Sequence, residues 1–258
     1  MYKLINHSHG LILVSGPTGS GKTTTLYSAL THLNASEKKI ITIEDPIEYE
    51  IPNIQQIQVK PKIGLTFAAG LRSILRHDPD IILVGEIRDS ETAKIAIQSA
   101  LTGHFVFSTV HTNDSAGAVI RLIDMGIENY LIASSVIGVA AQRLVRLICP
   151  KCKTEFSPDN KTLLTINRLS VSKKNINKFY RGAGCSFCKN TGYRGRSGIF
   201  ELMPVNDEIR KLICKTSSAS EIRDAAVKNG MTTLFDYGLQ KVECGETSIS
   251  EVLRVCAM

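Results

Sequence analysis

The sequence contains no tryptophan, and its aromatic residues make up only 6% of 258 positions. Proteins that bind single-stranded nucleic acid stack bases on aromatic side chains lying among basic ones, and this chain offers few such side chains. It also has no run of five or more basic residues, although its net charge is +7. The composition therefore argues against a nucleic-acid groove and favours basic side chains scattered over a solvated surface.

Long apolar runs are also missing. None reaches the ~18 residues that a helix needs to cross a bilayer. The first ten residues, MYKLINHSHG, contain no apolar stretch followed by a cleavage-like site, so they do not resemble a secretory signal. The chain is long enough for one large domain and a smaller appendage. Because it shows neither a membrane span nor a secretory signal, we expect a cytoplasmic globular protein.

Short apolar runs alternate with helical patterns through the first 140 residues. Strands are predicted at 10–15, 39–43, 80–86 and 105–110, and helices at 22–33, 65–77, 90–101, 114–125 and 128–138. Apolar runs alternating with helices are typical of a parallel sheet covered on both faces. The fold class is therefore α/β, and ligands are expected beyond the carboxyl ends of the strands.

The segment GPTGSGKT lies between a predicted strand and a predicted helix and fits the phosphate-binding pattern G-x-x-x-x-G-K-[ST]. Its glycines let backbone N–H groups face phosphate oxygens, and the next helix adds its positive N-terminal end. Lys22 would reach the β- and γ-phosphates of ATP, and the Thr23 hydroxyl would bind Mg²⁺. The predicted nucleotide-binding residues are Gly16, Pro17, Thr18, Gly19, Ser20, Gly21, Lys22, Thr23 and Thr24.

Two acidic clusters follow neighbouring predicted strands. Glu86 ends the third strand, where Gly85 occupies the position that usually holds aspartate, and Glu44, Asp45 and Glu48 follow the second strand. Hydrolysis needs one carboxylate on Mg²⁺ or its waters and another that orients the attacking water. Either cluster alone could be a polar strand end or a helix cap; together they are candidate catalytic residues whose individual roles stay open.

Two histidines bracket the fourth strand. His111 follows it at the edge that carries the acids, so we expect His111 to sense the γ-phosphate or stabilise charge rather than act as a base. His104 precedes the strand, ~20 Å away, and is predicted to be structural or interfacial. Three arginines flank the acids: Arg72, Arg76 and Arg88. They could neutralise transition-state charge or form ordinary surface salt bridges.

Seven cysteines are present, and an odd number without a signal peptide argues against a disulfide framework. Cys149 and Cys152 form one C-x-x-C pair, Cys185 and Cys188 form a second, and 32 residues lie between the two pairs. Two such pairs match a closed, structural, tetrahedral Zn²⁺ site. A redox C-x-x-C pair is the alternative.

The series of motifs closely resembles that of the type II secretion and type IV pilus assembly ATPases of bacteria. The matching segments, in order, are GPTGSGKTTTLY, TIEDPIEY, LRSILRHDPDIILVGEIRD, TGHFVFSTVHTNDS, AQRLVRLICPKC and GYRGRSGIFEL. The family's Walker A, Asp box, Walker B and His box correspond here to 16–23, 44–48, 80–86 and 104–111. Assembly-type members often carry a tetracysteine insert, which retraction-type members generally lack.

The resemblance implies a RecA-like P-loop NTPase core that forms a homohexamer and hydrolyses ATP to assemble or extrude pilin-like subunits. It implies an inner-membrane platform protein as partner, a peripheral position on the cytoplasmic side of that membrane, and no nucleic acid. In the family, N-terminal domains precede this core, and one of them supplies arginines over the nucleotide. The chain is therefore expected to correspond to the C-terminal ATPase region, either as an excised fragment or as a truncated gene product.

The predicted organisation is a RecA-like core at 1–147, a tetracysteine zinc-binding module at 148–193 and a C-terminal helical subdomain at 194–258. Two other functions stay open. One is a RecA-like nucleic-acid motor or DNA-transfer ATPase, which the basic charge and the zinc site allow. The other is a non-catalytic fragment that docks onto a platform protein through its zinc module.

Overall fold

The computed structural model describes residues 2–34, 37–172, 176 and 178–256. The strands are β1 (Gly10–Ser15), β2 (Ile40–Glu44), β3 (Gln55–Gln58), β4 (Ile81–Val84), β5 (Phe105–Val110), β6 (Val136–Ile148), β7 (Lys153–Phe156), β8 (Phe179–Gly182) and β9 (Tyr193–Pro204). Within the described residues, seven of them form one sheet in the order β3-β2-β4-β5-β1-β6-β9. The pairs from β3 through β6 are parallel, whereas β7 and β8 form a separate antiparallel pair.

Helices α2 to α7 lie between strands along the chain, whereas α1 precedes β1 and α8 to α11 follow β9. They are α1 (Tyr2–Ile5), α2 (Lys22–Leu33), α3 (Phe67–Ile74), α4 (Ser90–Leu101), α5 (Ser115–Asp124), α6 (Asn129–Ser135), α7 (Asn160–Leu169), α8 (Asp207–Cys214), α9 (Ala219–Lys228), α10 (Leu234–Glu243) and α11 (Ile249–Cys256). Helices α3, α4 and α5 each begin with a side-chain cap, from Thr66, Asp89 and Asp114 respectively. Such caps satisfy N–H groups that the first turn leaves without a helical partner.

The central sheet is covered on both faces, which confirms the prediction from the apolar runs. Leu11 and Leu13 of β1 join one apolar cluster with α3, α4 and α5, whereas Ile12 and Val14 join a second cluster with α2. Successive side chains of a strand point to opposite faces, so each strand contributes to both layers. Every residue of β1 and β5 is buried, which places the segments after them in the middle of the sheet edge.

The chain groups into two compact units, each built from two segments. The first contains Met1–Ala141 and Leu202–Met231, and the second contains Gln142–Glu201 and Thr232–Met258. This grouping differs from the three-part division predicted from the motifs. The segment after Glu201 belongs to the first unit because it buries apolar side chains in that unit's core: Met203, Val205, Ile209 and Ile213.

Several strands were also not expected from the sequence: β3, β6, β7, β8 and β9. α6 ends at Ser135 and β6 begins at Val136, inside the segment 128–138 that was expected to be helical. β9 occupies the start of the region expected to hold short helices. β6 pairs in parallel with the buried strand β1. The local pattern of this apolar run fits either a helix or a strand. The run becomes a strand because its backbone forms hydrogen bonds with β1, a central strand.

Gly85 follows β4 where the chain passes very close to β2. Its N–H donates to the Ile43 carbonyl at 2.8 Å. A Cβ at this position would lie 3.3 Å from both the Glu44 Cα and the Ile43 carbonyl oxygen. These atoms belong to a buried, paired strand and have little room to move aside. A side chain at position 85 is therefore crowded, and the acid stands one residue later, at Glu86.

Replacing Gly85 with alanine should lower the free energy of unfolding by about 1 kcal/mol. Overpacking costs about 1–3 kcal/mol, and the reduced freedom of the unfolded chain offsets only about 0.4–1 kcal/mol of that cost. Urea unfolding of wild type and Gly85→Ala measures the difference. Equal unfolding midpoints would contradict the predicted loss, and a higher midpoint for the variant would show that the site is not crowded.

Candidate active site and cysteine cluster

The phosphate-binding loop joins the end of β1 to the start of α2. Gly19 and Gly21 have φ angles of 76° and 88°, a left-handed conformation that glycine adopts at little cost. Lys22 folds back over the loop, where its ammonium donates to the carbonyl oxygens of Gly16 at 2.8 Å and Pro17 at 3.0 Å. The loop therefore has the wrapped geometry that the motif predicts.

Helix α2 differs from the helices after the neighbouring strands because its N-cap residue, Gly21, makes no side-chain cap hydrogen bond. Its first turn contains no acidic residue either. A twelve-residue helix with this N-terminus offers backbone N–H groups and the positive end of its dipole to an anion. These features suit a phosphate group next to the loop.

The sheet order brings the predicted site segments to one edge. β5 lies beside β1, β4 lies beside β5, and β2 lies beside β4, all in parallel. The segments that begin after Ser15, Glu44, Val84 and Val110 therefore leave the same edge of the sheet. The loops are tied together there: the Ile87 N–H donates to the Thr109 carbonyl at 2.9 Å, and the Thr109 hydroxyl donates to the Gly85 carbonyl at 2.7 Å.

Glu86 holds two partners at this edge. One carboxylate oxygen pairs with Arg88, and the other lies 3.3 Å from His111 Nε2. The Glu86 side chain is only 13% exposed. The hydrogen bond from Arg88 to Glu86 raises the pKa of Arg88, and the charge of Asp45 acts in the same direction. The structure thus places predicted residues from two strand ends in one ionic group.

The other two arginines have different surroundings. Arg72 pairs with Glu91 at 2.6 Å, and both side chains are more than half exposed. An exposed pair of this kind contributes about 0–1 kcal/mol and matches the ordinary salt-bridge alternative. Arg76 lies in a short 3₁₀ turn, Leu75–His77, directly after α3.

Glu44 is almost fully buried, with 3% of its surface exposed. Its carboxylate accepts hydrogen bonds from the Tyr27 hydroxyl at 2.5 Å, the Thr42 hydroxyl at 2.6 Å and the Gln56 amide at 3.2 Å. Burial and the bond to Glu44 raise the pKa of Tyr27 well above its usual range. Sequence patterns gave no role to Tyr27, although it ends the segment GPTGSGKTTTLY, and did not mark Gln56. The contacts of both side chains with Glu44 depend on the fold.

The loop between β2 and β3 carries the other two predicted acids. Asp45 and Glu48 are both exposed, in contrast to Glu44. Asp45 lines a cavity of about 280 Å³ together with Thr66, Arg88 and Asp89. Asp45 and Glu48 therefore both combine exposure with a loop that has a strand at each end.

His104 lies at the opposite end of β5 from His111. Its carbonyl accepts from the Gly10 N–H at 3.2 Å, at the start of β1, and its Nδ1 lies 3.0 Å from the Ser99 carbonyl. It lines a cavity of about 430 Å³ with Asp78 and Asp80, at the amino ends of the strands. His104 is thus placed away from the phosphate-binding loop.

Four cysteines of the second unit converge, with their Sγ atoms all within 4.8 Å of one another. A tetrahedral Zn²⁺ site with Zn–S bonds of ~2.3 Å requires sulfur atoms about 3.8 Å apart. The Sγ–Sγ distances are 3.9 Å for Cys149 and Cys185, 3.8 Å for Cys152 and Cys188, and 3.7 Å for Cys185 and Cys188. The donor set and its spacing fit a closed zinc site.

Backbone N–H groups surround the same sulfur atoms. Gly184 donates to Cys152 Sγ at 3.3 Å, and the N–H groups of Cys185 and Gly192 each donate to Cys188 Sγ at 3.3 Å. Burial opposes the charged form of Cys188, but these N–H donors outweigh it and lower the pKa of Cys188 to about 6. A thiolate is the form that binds a metal.

The sequence of this chain matches a known protein family over almost its whole length. The family model described as "Type II/IV secretion system protein" matches residues 1–254. The chain belongs to this family. The resemblance inferred from the motifs is thereby confirmed.

Two members of the secretion-system family have sequences similar to that of this chain. The chain is 52% identical over 254 residues to the type II secretion system ATPase E of Vibrio cholerae. The matched region covers 98% of this chain and 50% of that protein. The chain is also 52% identical over 253 residues to the type IV pilus assembly ATPase PilB of Thermus thermophilus, covering 97% of this chain and 28% of that protein. The chain thus spans half or less of the length of these two relatives.

A solved structure confirms the fold. The crystal structure of the pilus retraction motor PilT with bound ADP matches with a TM-score of 0.73 and 29% identity, over 98% of this chain and 63% of that one. This agreement supports the predicted α/β fold with a mostly parallel central sheet. Among the described residues, no helix is both long and apolar enough to cross a membrane.

Replacing Cys152 with serine should remove bound zinc, because three thiolates and a hydroxyl do not complete a closed Cys₄ site. Metal analysis of the purified protein measures the change from about one Zn²⁺ per chain to almost none. Cys214→Ser, at an exposed lone cysteine, is the control and should keep the metal. A wild-type protein without zinc, or a Cys152→Ser variant that retains it, would contradict the assignment.

Proposed function

We propose that this chain is the catalytic region of an ATP-hydrolysing motor that powers type II secretion or type IV pilus assembly. The observation that carries the proposal is the start of α2, which has no side-chain cap, at a phosphate-binding loop on the same sheet edge as Glu86 and its two partners. Relatives with 52% identity are named as ATPases of these two machines. The similar PilT structure contains ADP.

Residues 16–24 would hold the nucleotide. The backbone N–H groups of the loop and of the first turn of α2 would bind the phosphate oxygens. Lys22, which now donates to two loop carbonyls, would turn its ammonium to the β- and γ-phosphates, and the Thr23 hydroxyl would bind Mg²⁺. When bound, Mg²⁺ neutralises negative charge that develops on the phosphate oxygens.

Glu86 and Glu48 would have separate roles, one toward Mg²⁺ and the other toward the attacking water. Glu86 is mostly buried just after β4 and would serve the Mg²⁺ shell; its present partners, Arg88 and His111, would then share the carboxylate with that shell. Glu48 is exposed on its loop and would orient the attacking water. His111, one residue beyond β5, would respond to the γ-phosphate through its contact with Glu86, and Asp45 would contribute charge near Arg88.

Glu44 has a different proposed role. Three hydrogen bonds engage its buried carboxylate. Its contribution to catalysis would therefore be to hold the loop that carries Asp45 and Glu48.

The assembly is proposed from the family. The working form would be a homohexameric ring at the cytoplasmic face of the bacterial inner membrane, where a platform protein of the machine receives the motion. ATP binding at subunit interfaces would drive rigid-body movement of packed units. The module at 148–193 would hold Zn²⁺ on Cys149, Cys152, Cys185 and Cys188 as a structural element and serve as a surface for a partner.

Lys22→Ala should abolish ATP hydrolysis in the assembled protein, because it removes the cation that contacts the β- and γ-phosphates. Phosphate release at saturating ATP and Mg²⁺ measures it. The control is Lys94→Ala, which removes an exposed lysine from α4 and should leave turnover unchanged. Normal turnover of the Lys22 variant would refute the proposed activity.

Glu48→Gln and Glu86→Gln should each lower kcat by about 100-fold or more, since a positioned acid or base supplies about 10²–10⁴-fold. The two variants should differ in their Mg²⁺ dependence. Only Glu86→Gln should raise the Mg²⁺ concentration needed for half-maximal activity. Glu50→Gln, an exposed acid on the same loop, serves as the matched control. Wild-type turnover in either variant would remove that residue from the mechanism.

A further inference from the structure

Gln56, on the edge strand β3, holds the loop that carries Asp45 and Glu48. Its amide oxygen accepts from the Ile51 N–H at 2.7 Å, and its amide nitrogen lies 3.2 Å from the Tyr49 carbonyl. Both partners belong to the loop between β2 and β3. One side chain therefore binds the backbone of this loop through a donor and an acceptor at once.

The same amide nitrogen has two further acceptors outside the loop backbone. It lies 3.2 Å from the Glu44 carboxylate and 3.3 Å from the Tyr27 hydroxyl oxygen. An amide nitrogen has two hydrogens, so three acceptors share them. Gln56 thus links the loop directly to the buried carboxylate that ends β2.

Tyr27 connects this group to the phosphate-binding helix. It lies on α2, five positions after Lys22, and is 1% exposed. Its hydroxyl donates to Glu44 at 2.5 Å and also interacts with the backbone N–H of Glu48. Its ring packs edge-on against Tyr49, with centroids 4.7 Å apart. The loop is therefore attached to α2 by both polar and aromatic contacts.

The neighbours of Gln56 on the same strand show that the strand itself does not require this arrangement. Gln55 and Gln58 are exposed, while Gln56 is partly buried and lies opposite Thr42 in the parallel ladder. Main-chain hydrogen bonds form the ladder whatever the side chain is. The amide of Gln56 therefore acts on the loop, on Glu44 and on Tyr27.

We propose that Gln56 and Tyr27 are positioning residues that set the distance between the loop of Glu48 and the phosphate-binding loop. Neither would touch the nucleotide; they would act through the backbone of residues 47–51. The inference rests on the proposed function, which assigns the attacking water to Glu48. It predicts that loosening this loop slows the chemical step and leaves nucleotide binding at Lys22 intact.

Gln56→Leu tests the proposal in the assembled ATPase, because it keeps the side-chain size and removes the amide. A misplacement of ~1 Å can cost about 100-fold in rate, so kcat should fall by about that factor, while KM for ATP changes by less than about threefold. Gln58→Leu is the matched control on the same strand and should behave like wild type. Gln56→Asn, which keeps an amide that is one methylene shorter, should lose less activity and serves if the leucine variant does not fold.

Amide hydrogen exchange of residues 47–51 provides a readout that does not depend on catalysis. Exchange should accelerate in Gln56→Leu and in Tyr27→Phe but not in Gln58→Leu. Unchanged exchange in Gln56→Leu would overturn the positioning role. Faster exchange with wild-type kcat, or equal losses in kcat and ATP affinity, would overturn its connection to the chemical step.

A parallel measurement on Glu48→Gln distinguishes this inference from the proposed function. If Glu48→Gln retains turnover, the role assigned to Glu48 fails. The exchange data then still decide whether Gln56 holds the loop. Loss of turnover in Gln56→Leu would in that case point to Asp45, the other candidate catalytic acid of this loop.

Discussion

The parallel hydrogen bonds of β1 to β5 and β6 determine where the candidate active site of the first unit lies. β1 is buried along its whole length, so the chain can only emerge at its carboxyl end, where the phosphate-binding loop begins. Because β5, β4 and β2 run in the same direction, their carboxyl ends meet at that edge. The candidate acids and His111 therefore lie at one edge of the sheet.

Positive and negative groups both lie at the carboxyl edge of the sheet. The start of α2 and Lys22 present positive charge, which suits a phosphate. Carboxylates beside a triphosphate would repel it, and the fold limits this repulsion in two ways. Arg88 and His111 occupy the two oxygens of Glu86, while the carboxylate of Glu44 is enclosed by three hydrogen-bond donors. Glu48 remains the exposed acid of the proposed pair.

The second unit depends on polar interactions more than on a large apolar core. Its apolar cluster has seven buried members among the described residues, and small units of this kind are often stabilised by a metal. Glu251 is fully buried and bound by Arg146 and Arg254. Burial opposes its charge, but these guanidinium groups prevail and lower the pKa of Glu251 to about 2. The cysteine cluster adds a second polar anchor.

The sequence by itself determined the phosphate-binding loop, the buried strands β1, β2, β4 and β5, and the cysteine pairs, because each is specified by residue types at short spacing. That their carboxyl ends meet at one edge followed from the general rule for parallel sheets. The order of the strands, and with it the contact between Glu86 and His111, came from the tertiary structure. Only the tertiary structure decided that Val136 begins a strand, that Gly85 is crowded, and that Tyr27 and Gln56 enclose Glu44. These features depend on partners far away in the chain, and no local pattern contains that information.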